Sequence, residues 1–206
     1  MAVVALSIEP FAAGPKLPAR MAQQLGLAYF DLAPFERGVA ERMALHRRDS
    51  IVGCNPDGTD QRWTMTISDF AARMRELALE AALHGNVLIH GWTAVSMLGG
   101  LSHVATAWLQ GSAHFRSLEV QKHRKYPLLE CAALDLAGED ALVARFVAHV
   151  LEEAWCPFPP ADLIIDMERI SERGCMTLVA ALAAEPRCAQ SSQAEIEINE
   201  RLLELR

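Results

Sequence analysis

Apolar and polar positions switch period several times along this chain, and the switches mark its elements. Val3–Ile8 (VVALSI) is a continuous apolar run of strand length, the pattern of a central strand buried on both faces. Leu17, Met21 and Leu25 then recur at helical spacing and Gly26 follows as a stop, which predicts a helix over Leu17–Leu25. Tyr29, Phe30 and Asp31 read as a short second strand, and 35–45 as a helix with Pro34 in its first turn. The stretch 49–62 is rich in Gly, Asn, Asp and Pro and predicts a mobile surface loop. A strong helical stripe runs over 66–83 through Phe70, Met74, Leu77 and Ala81, with Ser68 as its cap. Further strands are predicted at 86–90, 103–109 and 162–166, and further helices at 93–98, 112–125, 139–154 and 171–184, the last capped by Ser171.

Strands alternating with helices predict an α/β fold: a parallel sheet of about five strands with helices on both faces. Val3–Ile8 is expected at its centre, flanked by 86–90 and 103–109. Ligands of such sheets gather at the carboxyl ends of the strands, which here means 9–15, 90–93, 111–116 and 166–169.

Composition narrows the function. The chain has 206 residues, 51% of them hydrophobic, enough for one domain with a large core. A net charge of -7 disfavours a nucleic-acid partner, which needs a basic face. The basic runs His46-Arg47-Arg48 and Lys122-His123-Arg124-Lys125 read as solvated helix ends. The 5 cysteines are scattered and never paired as CxxC, so reduced thiols in a cytoplasmic protein are expected rather than a disulfide scaffold or a zinc site. No signal peptide and no membrane span is expected, since no apolar run reaches about 18 residues. No HxH, HxxxH or carboxylate cluster points to a metal.

The first strand, a small-residue turn and a helix together make a phosphate-binding shape, in which successive amides beside a helix start are aimed at an anion. Ala12, Ala13 and Gly14 are small enough for close approach, and Lys16 is the one cation in the turn. Pro15 and Pro18 bring no N–H to it. A weakened phosphate site on Ala12, Ala13, Gly14 and Lys16 is one reading; a strand–helix corner opened by prolines is the other.

The residues fall in the frame of the cytidylate kinase-like family, a branch of the P-loop nucleoside monophosphate kinases. Ser7-Ile8-Glu9, Phe11-Ala12-Ala13-Gly14, Leu25-Gly26 and Tyr29-Phe30-Asp31 resemble the family's opening strand, glycine-rich turn, helix end and second strand. The segment 86–91 resembles its third strand, with Trp92 where an arginine is expected. The segment 103–111 with Arg116, and Trp155, 162–166 and Arg169-Ile170-Ser171, resemble its later motifs. The likeness spans about residues 3–185, with a lid-like segment at about 122–155; 186–206 is a linker and a terminal helix.

The resemblance implies ATP and Mg²⁺ as cofactors, Asp31 facing the phosphoryl acceptor, and Arg116 and Arg145 clamping phosphate. On the residues alone, Asp31 also reads as a solvated helix-entry carboxylate and Arg116 as a surface ion pair with Glu119 or Glu80. Trp92 is expected to fill the space of a nucleotide base, and His90 to be a satisfied histidine. Acidic residues in the lid-like segment oppose its few arginines. The expectation is therefore a weak nucleotide-binding or regulatory protein with little kinase activity. Two alternatives stand beside it: an active ATP-dependent kinase acting on a nucleotide or small molecule, and an interaction module. The apolar face of the tail, Ile198, Leu202 and Leu205, needs a surface to pack on, and a homodimer contact is the expected one.

Overall fold

The first apolar run becomes the middle strand of the sheet. In the computed structural model, which describes residues 2–46, 50–54, 62–151, 160–189 and 191–205, the elements run β1 (Val3–Ile8), α1 (Leu17–Leu25), β2 (Ala28–Asp31), α2 (Ala33–His46), β3 (Ser50–Cys54), β4 (Arg62–Thr66), α3 (Ile67–His84), β5 (Val87–His90), α4 (Ala94–Leu98), β6 (Val104–Gln110), α5 (Ala113–Arg124), α6 (Leu129–Leu151), β7 (Leu163–Asp166), α7 (Glu172–Ala183) and α8 (Ser192–Glu204). Five strands form a parallel sheet in the order β2-β5-β1-β6-β7. β1 therefore lies between β5 and β6, where its unbroken apolar sequence places it.

Alternate residues of β1 feed different cores, as the two-residue period of a strand requires. Val3 and Ala5 join Val87, Ile89 and Val104 beneath α2, α3, α4, α6 and α8. Val4 and Leu6 join Leu88, Ala107, Leu109 and Ile165 beneath α1 and α7. A third cluster, Val120, Ala132 and Leu136, packs α5 on α6 and takes in Phe11 from the turn after β1.

Three sequence expectations change. The segment 49–62 was expected as a loop, but Ser50–Cys54 and Arg62–Thr66 pair antiparallel as a separate hairpin, with Ile51 opposite Met65 and Val52 opposite Thr64. The short β-branched runs at its ends outweigh the turn residues between them, which lie outside the described residues. The cap of α3 is Thr66 rather than Ser68: its hydroxyl accepts the Asp69 amide at 3.0 Å while Asp69 answers to the Thr66 amide. The helix expected over 139–154 starts ten residues earlier, since α6 is a 23-residue helix from Leu129; its expected end at 152–154 lies outside the described residues, as do Arg47, Arg48, Trp155, Gln190 and Arg206.

The tail packs within its own chain. Ser191 caps α8 through the Ala194 amide at 3.2 Å, and Ile198 and Leu202 are buried in the α3–α6 core. Glu197 accepts from the Ser102 amide and hydroxyl, the latter at 2.9 Å. The apolar face that suggested a dimer contact is thus covered by α3. Among the described residues, no helix is long and apolar enough to cross a membrane.

Candidate functional site

The carboxyl ends of β1, β5, β6 and β7 converge on one edge, and concavities open there among the described residues. One of about 460 Å³ lies among Glu9, Gln110, Ser112, Asp166 and Arg169. A second of about 460 Å³ lies between the turn at 11–15, α5 and the start of α7. A third of about 230 Å³ is bounded by the same turn together with Arg37, His90 and His123.

The turn after β1 is fixed from both sides. The Glu9 amide donates to the Leu109 carbonyl at 3.0 Å and the Ala12 amide to the Glu9 carbonyl at 3.0 Å. Phe11 adopts a left-handed φ of 61°, a conformation costly for a residue with a Cβ. Its ring is held by the Arg124 guanidinium, 5.4 Å above it, and by the edge of His123 at 6.2 Å. A phenylalanine thus stands where a phosphate-binding turn would use glycine. The Leu17 amide is taken by the Gly14 carbonyl at 3.0 Å. The Ala13, Gly14 and Lys16 amides have no hydrogen bond among the described residues. Lys16 itself is exposed at the start of α1, with no side-chain partner among them.

Carboxylates press on this turn. A Cβ added to Gly14 would stand 2.9 Å from Glu172 Oε1; Glu172 is itself held by Arg20 at 2.7 Å. Glu9 Oε2 accepts from the Gly111 amide at 3.2 Å and lies 3.4 Å from Arg116 Nε. Burial pushes the Glu9 carboxyl above its ordinary range, with Arg116 and the Gly111 amide pulling the other way.

Arg116 was expected either over phosphate or in a surface pair with Glu119 or Glu80, and the surface pair is not what forms. The residue is buried, forks onto Asp140 at 2.7 and 3.0 Å, and donates to the Gly111 and Pro10 carbonyls at 3.1 and 3.3 Å. It braces the turn with every side of its guanidinium occupied. Arg145 is elsewhere: its guanidinium donates to the Met43 carbonyl of α2 at 3.5 Å. The structure therefore brings Ala12, Ala13, Gly14 and Arg116 together and leaves Arg145 apart from them.

Of the lid-like segment, 129–151 forms one continuous helix, α6, packed along α5 and α2, and its acids bind the local arginines. Glu139 accepts from Arg37 at 2.9 Å and from Arg124 at 2.6 Å. Burial works to raise the Glu139 carboxyl, but those two guanidiniums outweigh it and hold it below the usual range.

At the end of β2, Asp31 Oδ1 meets His90 Nδ1 at 2.9 Å and accepts the Ala33 amide at 3.2 Å; the Tyr29 hydroxyl lies 3.2 Å from the same ring nitrogen. Burial opposes ionisation of Asp31, yet His90, Tyr29 and Ala33 together hold its carboxyl below the ordinary value. Burial and the Asp31 charge push the Tyr29 phenol upward. His90 also lines the third concavity.

Beside this group, the turn after β5 already holds a carboxyl group of the protein's own. Glu36, fully buried on α2, accepts from the Trp92 and Thr93 amides, the latter at 3.0 Å, and from the Thr93 hydroxyl. Gly91 has no room for a Cβ, which would lie 2.9 Å from Glu36 Oε2. Burial drives the Glu36 carboxyl upward against those donors. Trp92 packs edge-on to Phe146 at 5.8 Å, beneath Arg37 at 5.5 Å. Glu36 had no local sequence signal, because its partners are more than fifty positions away. Glu9 and Glu172 were legible only as residues beside a turn and a cap.

No protein-family model matches the sequence, and comparison with curated proteins finds no match. Among solved structures, an uncharacterized protein from Eubacterium ventriosum ATCC 27560 superposes with a TM-score of 0.64 at 12% identity, over 90% of this chain and 99% of that one. A shikimate kinase from Bacteroides thetaiotaomicron aligns at a TM-score of 0.47 and 11% identity, over 87% and 94%. A shikimate kinase from Acinetobacter baumannii aligns at 0.41 and 15%, over 88% and 92%. The first of these likenesses is one of fold. It agrees with the architecture described above, a five-stranded parallel sheet with helices on both faces.

Proposed function

We propose that this chain is a cytidylate kinase-like P-loop protein in which phosphoryl transfer has been lost or nearly lost, and that it serves as a weak nucleotide-binding or regulatory protein. The observation that carries the reading is the turn after β1. It keeps three amides unpartnered among the described residues, but Pro15 interrupts them, Glu172 abuts Gly14, and the nearby Arg116 is committed to Asp140. ATP with Mg²⁺ does not fit such a turn: a triphosphate would meet both Glu9 and Glu172, with Lys16 as the one unpaired cation of the turn among the described residues. The ligand expected is a nucleoside or another small, weakly charged compound, seated between the turn, Phe115 and Met167 in the second concavity.

Titration calorimetry with ATP, CMP and cytidine, with and without Mg²⁺, tests this. Cytidine is expected to bind at least as well as CMP, and ATP only in the millimolar range or weaker. Micromolar ATP binding would refute the reading. A second reading, group transfer to a small hydroxyl compound, is favoured by one observation: the Asp31–His90 pair, which presents an oriented imidazole to the third concavity. Turnover that falls in Asp31→Asn, at unchanged ligand affinity, would support it.

A further inference from the structure

A concavity on the opposite side of the molecule has a charge pattern unlike the rest of this acidic chain. α4 carries the chain back from the end of β5 toward the start of β6, and there α3, α4 and α8 enclose about 470 Å³. Arg75 of α3 and Arg201 of α8 both line it, with Ser96, Gly100 and Glu204. Elsewhere Arg20, Arg37, Arg116, Arg124 and Arg187 each pair with a carboxylate. Arg75 and Arg201 have no hydrogen bond and no ion pair among the described residues. Arg201 Nη2 lies over Gly100, 3.1 Å from where a Cβ would stand.

Two uncompensated guanidiniums on one concavity repel each other, and the single carboxylate lining it, Glu204, leaves a positive charge in excess. That excess stands out in a chain of net charge -7. Guanidinium presents two parallel N–H donors that match the oxygens of a tetrahedral oxyanion, and Ser96 adds a hydroxyl. We propose that this concavity is a binding site for phosphate, free or as a compact monoester, bridged between Arg75 on α3 and Arg201 on α8. The bound anion ties the terminal helix to the domain, adding to the apolar contact made by Ile198 and Leu202.

Calorimetric titration of the full chain with inorganic phosphate at low ionic strength tests the site, with glycerol phosphate as the monoester arm. The expected result is saturable binding of one phosphate. Affinity should fall about tenfold in Arg75→Gln and in Arg201→Gln, the cost of losing one charge-assisted pair. It should rise in Glu204→Gln, which removes the opposing charge, and persist in Lys16→Ala, whose change lies at the other edge of the sheet. Melting temperatures read alongside verify that each variant is folded. Tighter binding of glycerol phosphate than of inorganic phosphate identifies the monoester as the ligand, and the reverse identifies the free ion. Absence of binding, affinity unchanged from the parent chain in both arginine variants, or loss in Lys16→Ala would overturn the proposal.

Discussion

The turn after β1 and the turn after β5 are neighbours on the sheet edge, joined by Ser7, whose hydroxyl donates to the Gly91 carbonyl at 2.7 Å and accepts the Val95 amide at 3.2 Å. Both leave backbone amides pointing away from a strand end, and they differ in what answers them. After β5 a carboxylate from the protein, Glu36, occupies the Trp92 and Thr93 amides in full burial. After β1 the Ala13, Gly14 and Lys16 amides are unpartnered among the described residues, and carboxylates stand beside them without bonding to them. One turn has become an internal structural joint. The other keeps the shape of an anion site with carboxylates, each paired to an arginine, drawn up beside it. A fold that offers amides at its strand ends can therefore satisfy them from within, or leave them open and discourage anions by placing acids nearby.

The largest expected effect breaks the joint. Glu36→Ala leaves two buried amides and the Thr93 hydroxyl without an acceptor, and denaturant unfolding should show a loss of about 3 kcal/mol. A loss under about 1 kcal/mol would mean that the joint is not structural. Arg116→Ala comes next: it frees Asp140, partly exposed, and the Pro10 and Gly111 carbonyls, for an expected loss of about 2 kcal/mol. If Arg116 instead served a ligand, the same change would weaken binding and leave stability nearly intact.

Acid titration separates the two kinds of carboxylate. Glu139, whose folded carboxyl is held below its ordinary value, contributes stability that is fully present above the unfolded value of 4.5 and is lost as pH falls through the folded one. Glu36 and Glu9, raised by burial, oppose this, since their cost of ionisation is relieved as pH falls. Melting temperature followed from about pH 6 to pH 3 should drop in the parent chain and drop less in Glu139→Gln. An unchanged profile in that variant would show that Arg37 and Arg124 do not stabilise the Glu139 carboxylate.

The smallest effects concern the open turn. Glu172→Gln should strengthen anion binding there by only a few fold, because both Glu172 and Arg20 are partly solvated. Lys16→Ala should change stability by less than about 0.5 kcal/mol, as expected for an exposed lysine without a partner. A larger loss would show that Lys16 holds the start of α1.

The fold was legible because its signals are local. An unbroken apolar β1, Gly26 after α1, and Ser171 as the cap of α7, its hydroxyl accepting the Gly174 amide at 3.2 Å, are all readable from neighbours in sequence. The hairpin of β3 and β4 was missed because each strand is short and the residues between them carry turn chemistry. The site was only half legible. Ala12, Ala13, Gly14, Lys16 and Asp31 follow from their place after strands. The pairing of Arg116 with Asp140, of Glu139 with Arg37 and Arg124, and of Glu36 with Trp92 and Thr93 spans elements that only the folded chain brings together. An arginine read as a phosphate clamp and one already bound to an aspartate have the same sequence.

The most direct measurement is the shift of the Ala13, Gly14 and Lys16 amide resonances in ¹H–¹⁵N spectra during titration with ATP and Mg²⁺. Small shifts that stay unsaturated at about 1 mM ligand are expected, because the turn has Lys16 as its one cation and Pro15 interrupts the amides that would hold a triphosphate. Large shifts of these three amides that saturate in the micromolar range would contradict the loss of phosphate binding at this turn.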